Sequence, residues 1–263
     1  MYLETAIEAA RLGGKILLES LSSPERKQVT RKQKFDFVTQ IDHLSEAAIL
    51  DFIRKRHPHH SILAEESGGQ KQAQGYLWIV DPLDGTKNYI HKFPMFAISI
   101  ALLYEGKVIV GVVLDPVRNE LYHAEKEKGA FLNGKSVQVS ETQDFSQCLL
   151  ATGFPFRAKH LTDTYFEAFK NLFHQVSDFR RAGAAALDLA YLACGRLDGF
   201  WEVTLNPWDI AAGTLLIEEA GGKVTDLWGG NSHLKTGHVV ASNGLIHNKI
   251  TQVVGPVFKN LAV

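Results

Sequence analysis

The stretch WIVDPLDGTKNY, residues 78–89, runs a hydrophobic segment into two aspartates three positions apart, followed by glycine, threonine and lysine. Two carboxylates brought together repel one another unless a proton or a cation compensates them. Hard divalent ions with oxygen ligands do this well, and magnesium in particular bridges carboxylates to phosphate while keeping several waters. Pro82 restricts the backbone between Asp81 and Asp84. Leu83 brings no polar side chain, but its carbonyl can point to the same place. Gly85 allows close backbone approach, and Thr86 supplies a hydroxyl. Taken alone, DPLDG also reads as a capped turn at a strand end. Its company favours chemistry. Glu65 and Glu66 close the preceding predicted strand, and two parallel strands would bring their carboxyl ends to one sheet edge, where ligand sites of open α/β sheets lie.

A further acid stands in LNPWDIAAG, residues 205–213. Pro207 suits the first positions of a helix, and Asp209 near its start can either cap that helix or turn its carboxylate into a metal centre. Ala211, Ala212 and Gly213 permit close packing. Separation along the chain does not show whether Asp209 reaches Asp84.

The elements that must position these groups emerge from periodicity. Residues 3–21 form a helical stripe through Ala6, Ala9, Ala10, Leu12, Ile16 and Leu17. After a charged connection and a short extended segment, Asp42 is expected to cap a second helix buried through Leu44, Ala48, Ile49, Phe52 and Ile53. SILAEE and YLWIV read as strands ending on Glu65–Glu66 and on Asp81. From Met95 to Asp115 two strands flank the turn YEGK, and ELYHA with the turn LNGK continues an antiparallel meander. Beyond residue 143 the character changes. Strands near LLATG, HQVSDF and GFWE alternate with helices at 161–173, 184–194 and 209–220, the last stopped by Gly221–Gly222. The reading is an α/β chain of layered α+β character. An N-terminal α+β half, residues 1–142, carries the DPLDGT loop, a C-terminal α/β half, residues 143–263, carries the WDIAAG helix, and the active site lies between them.

Composition narrows the function classes. The 263 residues, 45% of them hydrophobic, are ample for a large core. With 28 Lys plus Arg against 29 Asp plus Glu, no global basic field attracts nucleic acid. Cys148 and Cys194 lack metal-site spacing and read as buried reduced thiols. The opening MYLETAIEAARLGG has neither a basic leader nor a signal-peptide apolar run, and Phe93–Tyr104 is too short to span a bilayer, so a soluble cytoplasmic protein is expected. Histidines 57, 59 and 60 read as surface loop rather than a zinc site. Phe93, Phe96, Phe154 and Phe156 read as packing, Trp201 and Trp208 as bracing for the walls around Glu202 and Asp209. Asp188 and Asp198 read as surface pairing or capping.

DFRRAGAAALDLA, residues 178–190, reads as a strand passing into a helix whose small first residues, from Gly183, can present amides to an anion or simply pack tightly. Arg180 and Arg181 invite phosphate binding, or face an interface or an acidic neighbour. The basic stretch Arg26, Lys27, Arg31, Lys32 and Lys34 reads as a solvated loop that can close over an anionic substrate.

EE at 65–66, WIVDPLDGTKNYIHKFPMFAISI at 78–100 and NPWDIAAGTLLIEEAGG at 206–222 together resemble the inositol monophosphatase family, and most its bacterial SuhB-type members. FDFVTQID at 35–42 and FRRAGAAALDLAYLACGRLDGFWE at 179–202 extend the resemblance over essentially the whole chain. It implies an alternating αβαβα sandwich, often homodimeric, that hydrolyses small phosphate monoesters with two or three magnesium ions and is commonly inhibited by lithium. By matching motifs, Glu65, Asp81 and the Leu83 carbonyl would hold the ion that activates water. Asp81, Asp84 and Asp209 would hold a second, and Glu65 would help hold a third. Thr86, assisted by Asp42, would orient the attacking water. Substrate contacts would come from Leu83, Asp84, Gly85, Thr86, Arg180, Gly183, Ala184, Ala185, Glu202 and Asp209, with Glu202 reading hydroxyls of a sugar or inositol ring. Ala184 departs from the threonine of many non-bacterial relatives, which removes one hydroxyl contact.

The residue types support this chemistry independently, since metal ions supply both a more acidic water and charge compensation for a poor leaving group. No nucleophile elbow suggests a covalent intermediate. The leading expectation is hydrolysis of inositol 1-phosphate, with fructose 1,6-bisphosphate or 3'-phosphoadenosine 5'-phosphate as alternative substrates. The SuhB resemblance further implies a role in binding RNA polymerase or antitermination factors, without direct binding of nucleic acid or membrane.

Overall fold

The computed structural model of the chain describes residues 1–22, 29–33, 36–69 and 75–261, with the backbone alone between 22 and 38. Two helices, α1 (Tyr2–Ser22) and α2 (Gln40–Arg56), bracket a hairpin of β1 (Val29–Gln33) and β2 (Asp36–Thr39). An eight-stranded sheet comes next, built from β3 (Ser61–Ala64), β4 (Gly68–Gly69), β5 (Tyr76–Asp84), β6 (Ala97–Tyr104), β7 (Lys107–Asp115), β8 (Glu120–Glu125), β9 (Ala130–Leu132) and β10 (Lys135–Val137). The short α3 (Thr86–Ile90) interrupts it after β5. Its spatial order is β10-β9-β8-β7-β6-β5-β3-β4, antiparallel throughout except for the parallel pair β3–β5. The rest of the chain forms β11 (Leu149–Thr152), α4 (Thr162–Phe173), β12 (Asp178–Arg180), α5 (Ala185–Ala193), β13 (Gly199–Glu202), α6 (Pro207–Glu219), β14 (Lys223–Thr225), α7 (His233–Thr236), β15 (Val239–Ser242) and α8 (His247–Val257). Its five strands order as β12-β11-β13-β15-β14.

Strand periodicity separates the layers, because successive side chains point to opposite faces. In β5, Trp78 and Val80 pack with Ala6, Ala10, Leu17, Ile49 and Ile53 of α1 and α2. Leu77 and Ile79 face the other way, into a cluster with Leu187, Leu189, Ile210 and Leu216 of α5 and α6. The five-stranded sheet repeats the division. Ala151 and Phe200 join the α5–α6 cluster, while Leu150 and Trp201 join Tyr165 and Leu172 of α4 and Ile250 and Val254 of α8. The outcome is the alternating αβαβα sandwich, with α5 and α6 as the central layer between the two sheets.

Several local expectations need correction. The cap of α2 is Thr39, whose side chain accepts from Ile41 and Asp42, and Asp42 completes the reciprocal capping box. Leu44 is 56% exposed, and the inward face of α2 carries Ser45 and Glu46 instead. Both polar groups are occupied there, Ser45 Oγ donating to the Pro82 carbonyl at 3.0 Å and Glu46 accepting the amides of Glu66 and Ser67. Leu12, Phe93 and Phe154 are exposed, so of the four phenylalanines read as packing only Phe96 is fully buried. His57, His59 and His60 do lie in the turn between α2 and β3, with His59 exposed, but His57 and His60 stack on one another among Tyr2, Tyr76 and Trp78. Asp198 is buried, accepting from Ser140 Oγ and the Leu149 amide. Arg26, Lys27 and Lys34, and the side chains of Arg31 and Lys32, lie outside the described residues. No described helix is long and apolar enough to cross a membrane.

Helix α6 must lie hard against the large sheet if its first turn is to reach the end of β5. A Cβ added at Gly111 of β7 would come 2.7 Å from the Ala212 carbonyl oxygen, a backbone atom with nowhere to go. Gly111→Ala is therefore expected to destabilise the fold by roughly 1–3 kcal/mol, as overpacking does, despite alanine's better strand propensity. Chemical denaturation measures this directly, and an unchanged midpoint would contradict the close approach of α6.

Candidate active site

The parallel pairing of β3 and β5 sets Ala64 opposite Val80, so Glu65, just past the end of β3, comes beside Asp81 of β5, a strand that runs on to Asp84 instead of ending at Asp81. The Glu65 amide donates to the Val80 carbonyl at 3.1 Å, holding the two together. The pairing of β5 with β6 slips between Asp81 and Asp84, and the Leu83 amide turns back to Asp81 Oδ1 at 2.9 Å. That turn places both aspartates on one side with the Leu83 carbonyl between them in sequence. Gly85 then takes φ 89°, and a Cβ there would meet the Met95 carbonyl oxygen at 2.9 Å. Both facts require glycine.

Thr86 opens α3. Its hydroxyl lies 3.1 Å from Asp42 Oδ1 and 3.2 Å from the Leu83 carbonyl. Asp42 Oδ2 is held from the other side by the Thr39 amide at 2.8 Å and the Thr39 hydroxyl at 2.5 Å. Burial pushes the Asp42 carboxyl up, and these donors oppose the rise.

Asp209 arrives from the first turn of α6, behind Asn206 as cap and Pro207. One of its oxygens accepts the Asn206 amide at 2.6 Å. Capping and membership of an acidic cluster, alternatives in the sequence, are both realised by this one side chain. Asp81, Asp84 and Asp209 are all buried and offer carboxylate oxygens within 4.8 Å of one another. Asp84 Oδ2 also accepts the Ala186 amide at 2.8 Å, which ties the cluster to the start of α5. Burial, then the charges of Glu65, Asp84 and Asp209, drive Asp81 well above the ordinary carboxylate range. Asp84 is driven up by burial and by Asp209. Glu65 stands at the edge, its Oε1 3.8 Å from Arg157 Nη2. A buried, oxygen-only set of carboxylates that disfavour each other's ionisation is the donor chemistry a hard divalent cation compensates, so these residues fit such an ion.

The cluster forms one wall of an open cleft with a volume of about 100 Å³. Gly85, Thr86, Gly183, Ala184, Ala185, Glu202 and Asp209 line it along with Asp81, Leu83 and Asp84, in keeping with their sequence positions. Arg180 does not line it, for its guanidinium turns to Asp178 at 2.6 Å and to the Phe179 carbonyl. Of this adjacent pair it is Arg181 that lines the cleft, its guanidinium 5.1 Å over the Phe154 ring. Gly183 makes this possible, since a Cβ there would stand 2.5 Å from Arg181 Nη1. Lys87, Asn88, Phe156 and Arg157 also line the cleft, with Lys87 and Arg157 stacked on Phe156 at 4.0 and 4.7 Å. Asn88 reaches across to the turn before α5 by donating to the Met95 and Ala182 carbonyls at 2.6 and 2.9 Å.

The largest correction is Asp188. It is 2% exposed and lines the cleft, far from the surface pairing expected of it. One feature of the sequence could have found it. A lone charge inside AAALDLAYLA, an otherwise apolar helix, has no solvent face to occupy.

Comparison with known proteins gives a consistent result. The sequence pattern of the inositol monophosphatase family matches residues 1–257. The Nus factor SuhB of Escherichia coli (strain K12) is 48% identical over 242 residues, spanning 92% of this chain and 91% of that protein. Among solved structures, the extragenic suppressor protein SuhB from Bartonella henselae superposes with a TM-score of 0.92 at 39% identity, covering 96% of this chain and 98% of the other. The inositol monophosphatase from Anabaena (Nostoc) sp. PCC 7120 superposes with a TM-score of 0.88 at 42% identity, covering 97% and 95%.

The buried acids yield a prediction of opposite sign to an ordinary active-site lesion. A carboxyl whose folded-state pKa is raised costs stability as pH climbs from about 4, its unfolded value, through the raised one. In EDTA, Asp84→Asn should therefore melt at a higher temperature than the parent protein. The gain should be absent near pH 4 and grow toward neutrality, while the rise in melting temperature produced by magnesium should be lost. A variant that melts lower in EDTA at neutral pH would contradict the electrostatic account.

Proposed function

Because the chain belongs to the inositol monophosphatase family, we propose that it is a magnesium-dependent phosphoric monoester hydrolase whose preferred substrate is inositol 1-phosphate. The observation that carries this reading is the buried group of Asp81, Asp84 and Asp209 within 4.8 Å at the wall of the cleft. Asp81 and the Leu83 carbonyl, with Glu65, would hold one ion, and Asp81, Asp84 and Asp209 a second. Glu65 would share in a third. Ions held by these residues would supply Lewis acidity for activating water and positive charge to compensate the phosphoryl group and the departing oxygen.

The chain's own groups position the reactants. Asp42, kept in place by Thr39, accepts the Thr86 proton, so the hydroxyl oxygen of Thr86 presents its lone pairs to a water and fixes that water's orientation. The N-terminal end of α5 brings Gly183, Ala184 and Ala185 to the cleft, where backbone amides favour an anion. Lys87 and Arg157, braced on Phe156, add positive charge at the same cleft. Glu202 stands as the acceptor for hydroxyls of the alcohol portion. Phosphoryl transfer asks little covalent work of a protein, so direct in-line attack by water suits these parts.

A second reading rests on the 48% identity to a protein named Nus factor SuhB. It adds a surface that binds transcription antitermination proteins or RNA polymerase, in a cytoplasmic and homodimeric protein whose catalysis is separable from that binding. Partner capture that persists in Asp84→Asn while turnover is lost would support separation of the two.

Phosphate release from inositol 1-phosphate, fructose 1,6-bisphosphate and 3'-phosphoadenosine 5'-phosphate should require magnesium, be greatest for the first and fall with lithium. Thr86→Ala should lower kcat by about 10–100-fold with little change in KM, the pattern of a group that acts on the attacking water. Equal turnover with and without magnesium, or a Thr86→Ala effect confined to KM, would count against the mechanism.

A further inference from the structure

Glu202 ends β13, and the parallel register with β11 sets Thr152 opposite Trp201, which brings Gly153 alongside Glu202. A Cβ at Gly153 would lie 2.1 Å from both carboxylate oxygens of Glu202, so that carboxylate occupies space only a glycine leaves open. Asp188 approaches from α5. It sits four and three residues after Ala184 and Ala185, on the helix face they turn to the cleft. Both carboxylates are more than nine-tenths buried, line the cleft, and receive no hydrogen bond from any described residue. The two line the same cleft, and burial, then Asp188, push Glu202 well above the ordinary range. Arg181 lines the same cleft, and its charge opposes the rise of both carboxyls.

No described side chain or amide serves their oxygens, which open onto the cleft, so their donors must come from what occupies the cleft, solvent or ligand. A phosphate cannot supply them, being an acceptor itself. The hydroxyls of an alcohol can, each giving one O–H. Resting on the phosphatase reading, we propose that Asp188 is a second hydroxyl-reading carboxylate beside Glu202, and that the pair selects phosphate esters whose alcohol carries adjacent ring hydroxyls. Asp188 is then a specificity-determining residue at the end of the cleft that holds the alcohol, and Arg181 offsets the mutual repulsion of the two carboxylates in their hydroxyl-accepting form.

The experiment compares inositol 1-phosphate with p-nitrophenyl phosphate, which has no ring hydroxyl, in the parent protein, Asp188→Ala and Asp188→Asn. The ratio of kcat/KM values for the two esters should fall by about 10–100-fold in Asp188→Ala, the worth of a hydrogen bond to a charged acceptor, with the loss mainly in KM. Asp188→Asn, which keeps one acceptor oxygen, should fall between. Both variants should melt no lower than the parent, since they remove a buried charge. Calorimetry with myo-inositol and with inorganic phosphate supplies a readout free of turnover. Asp188→Ala should weaken myo-inositol about tenfold or more and phosphate much less. Equal losses for the two esters, or no loss for either, overturns the proposal. A parent protein that hydrolyses neither ester yet binds myo-inositol through Asp188 overturns the phosphatase reading and leaves the ring-reading role standing.

Discussion

Three aspartates that repel one another are held together out of water, and much of the architecture can be understood as the means of holding them. Asp81 and Asp84 come from the end and turn of β5, Asp209 from the first turn of a helix more than a hundred residues later. Each is restrained by a backbone amide, from Leu83, Ala186 and Asn206 respectively. Those three bonds fix the orientation of groups that would otherwise turn away from each other. A cluster of this kind lowers the stability of the metal-free fold and is compensated by the large apolar layers around it, as is common where a site rather than the core sets the local design.

The sandwich supplies that rigidity. Helices α5 and α6 lie between two sheets, and each brings a functional element to the same cleft, α6 through Asp209 and α5 through the Ala186 amide and Asp188. Their small residues are spatial requirements. Ala212 meets Gly111 of the large sheet, and Gly213 meets Leu189 of the neighbouring helix, where a Cβ would stand 2.5 Å from the leucine's own Cβ. Thr86, Asp42 and Thr39 form a shorter chain of the same kind, running from the cleft to the cap of α2.

Much of this is legible in the sequence, and the reasons differ by element. Apolar runs bounded by turn residues locate β5 through β8, and capping signals locate α6 to within two residues, because both are local features of the chain. The meeting of Glu65 with Asp81 depends on the two strands being parallel, which their register bears out. The convergence of Asp209 on Asp84 is invisible in the sequence, since it depends on packing between layers distant along the chain. The errors share a cause. Hydrophobicity points Leu44 inward, whereas α2 turns Ser45 and Glu46 inward to serve the backbone of the neighbouring turns. Charge points Asp188 and Asp198 outward, although both are buried. Of the two adjacent arginines, an exposed strand end gives Arg180 to Asp178 and leaves Arg181 to the cleft, a choice of side that sequence spacing alone does not make.

The central claim is that Asp81, Asp84 and Asp209 share divalent cations within one cleft. Crystals soaked in manganese and measured at its absorption edge test it most directly. The account predicts anomalous density among these three carboxylates, with further density toward Glu65 and the Leu83 carbonyl. A well-ordered cleft with no anomalous density between the aspartates at saturating manganese would contradict it.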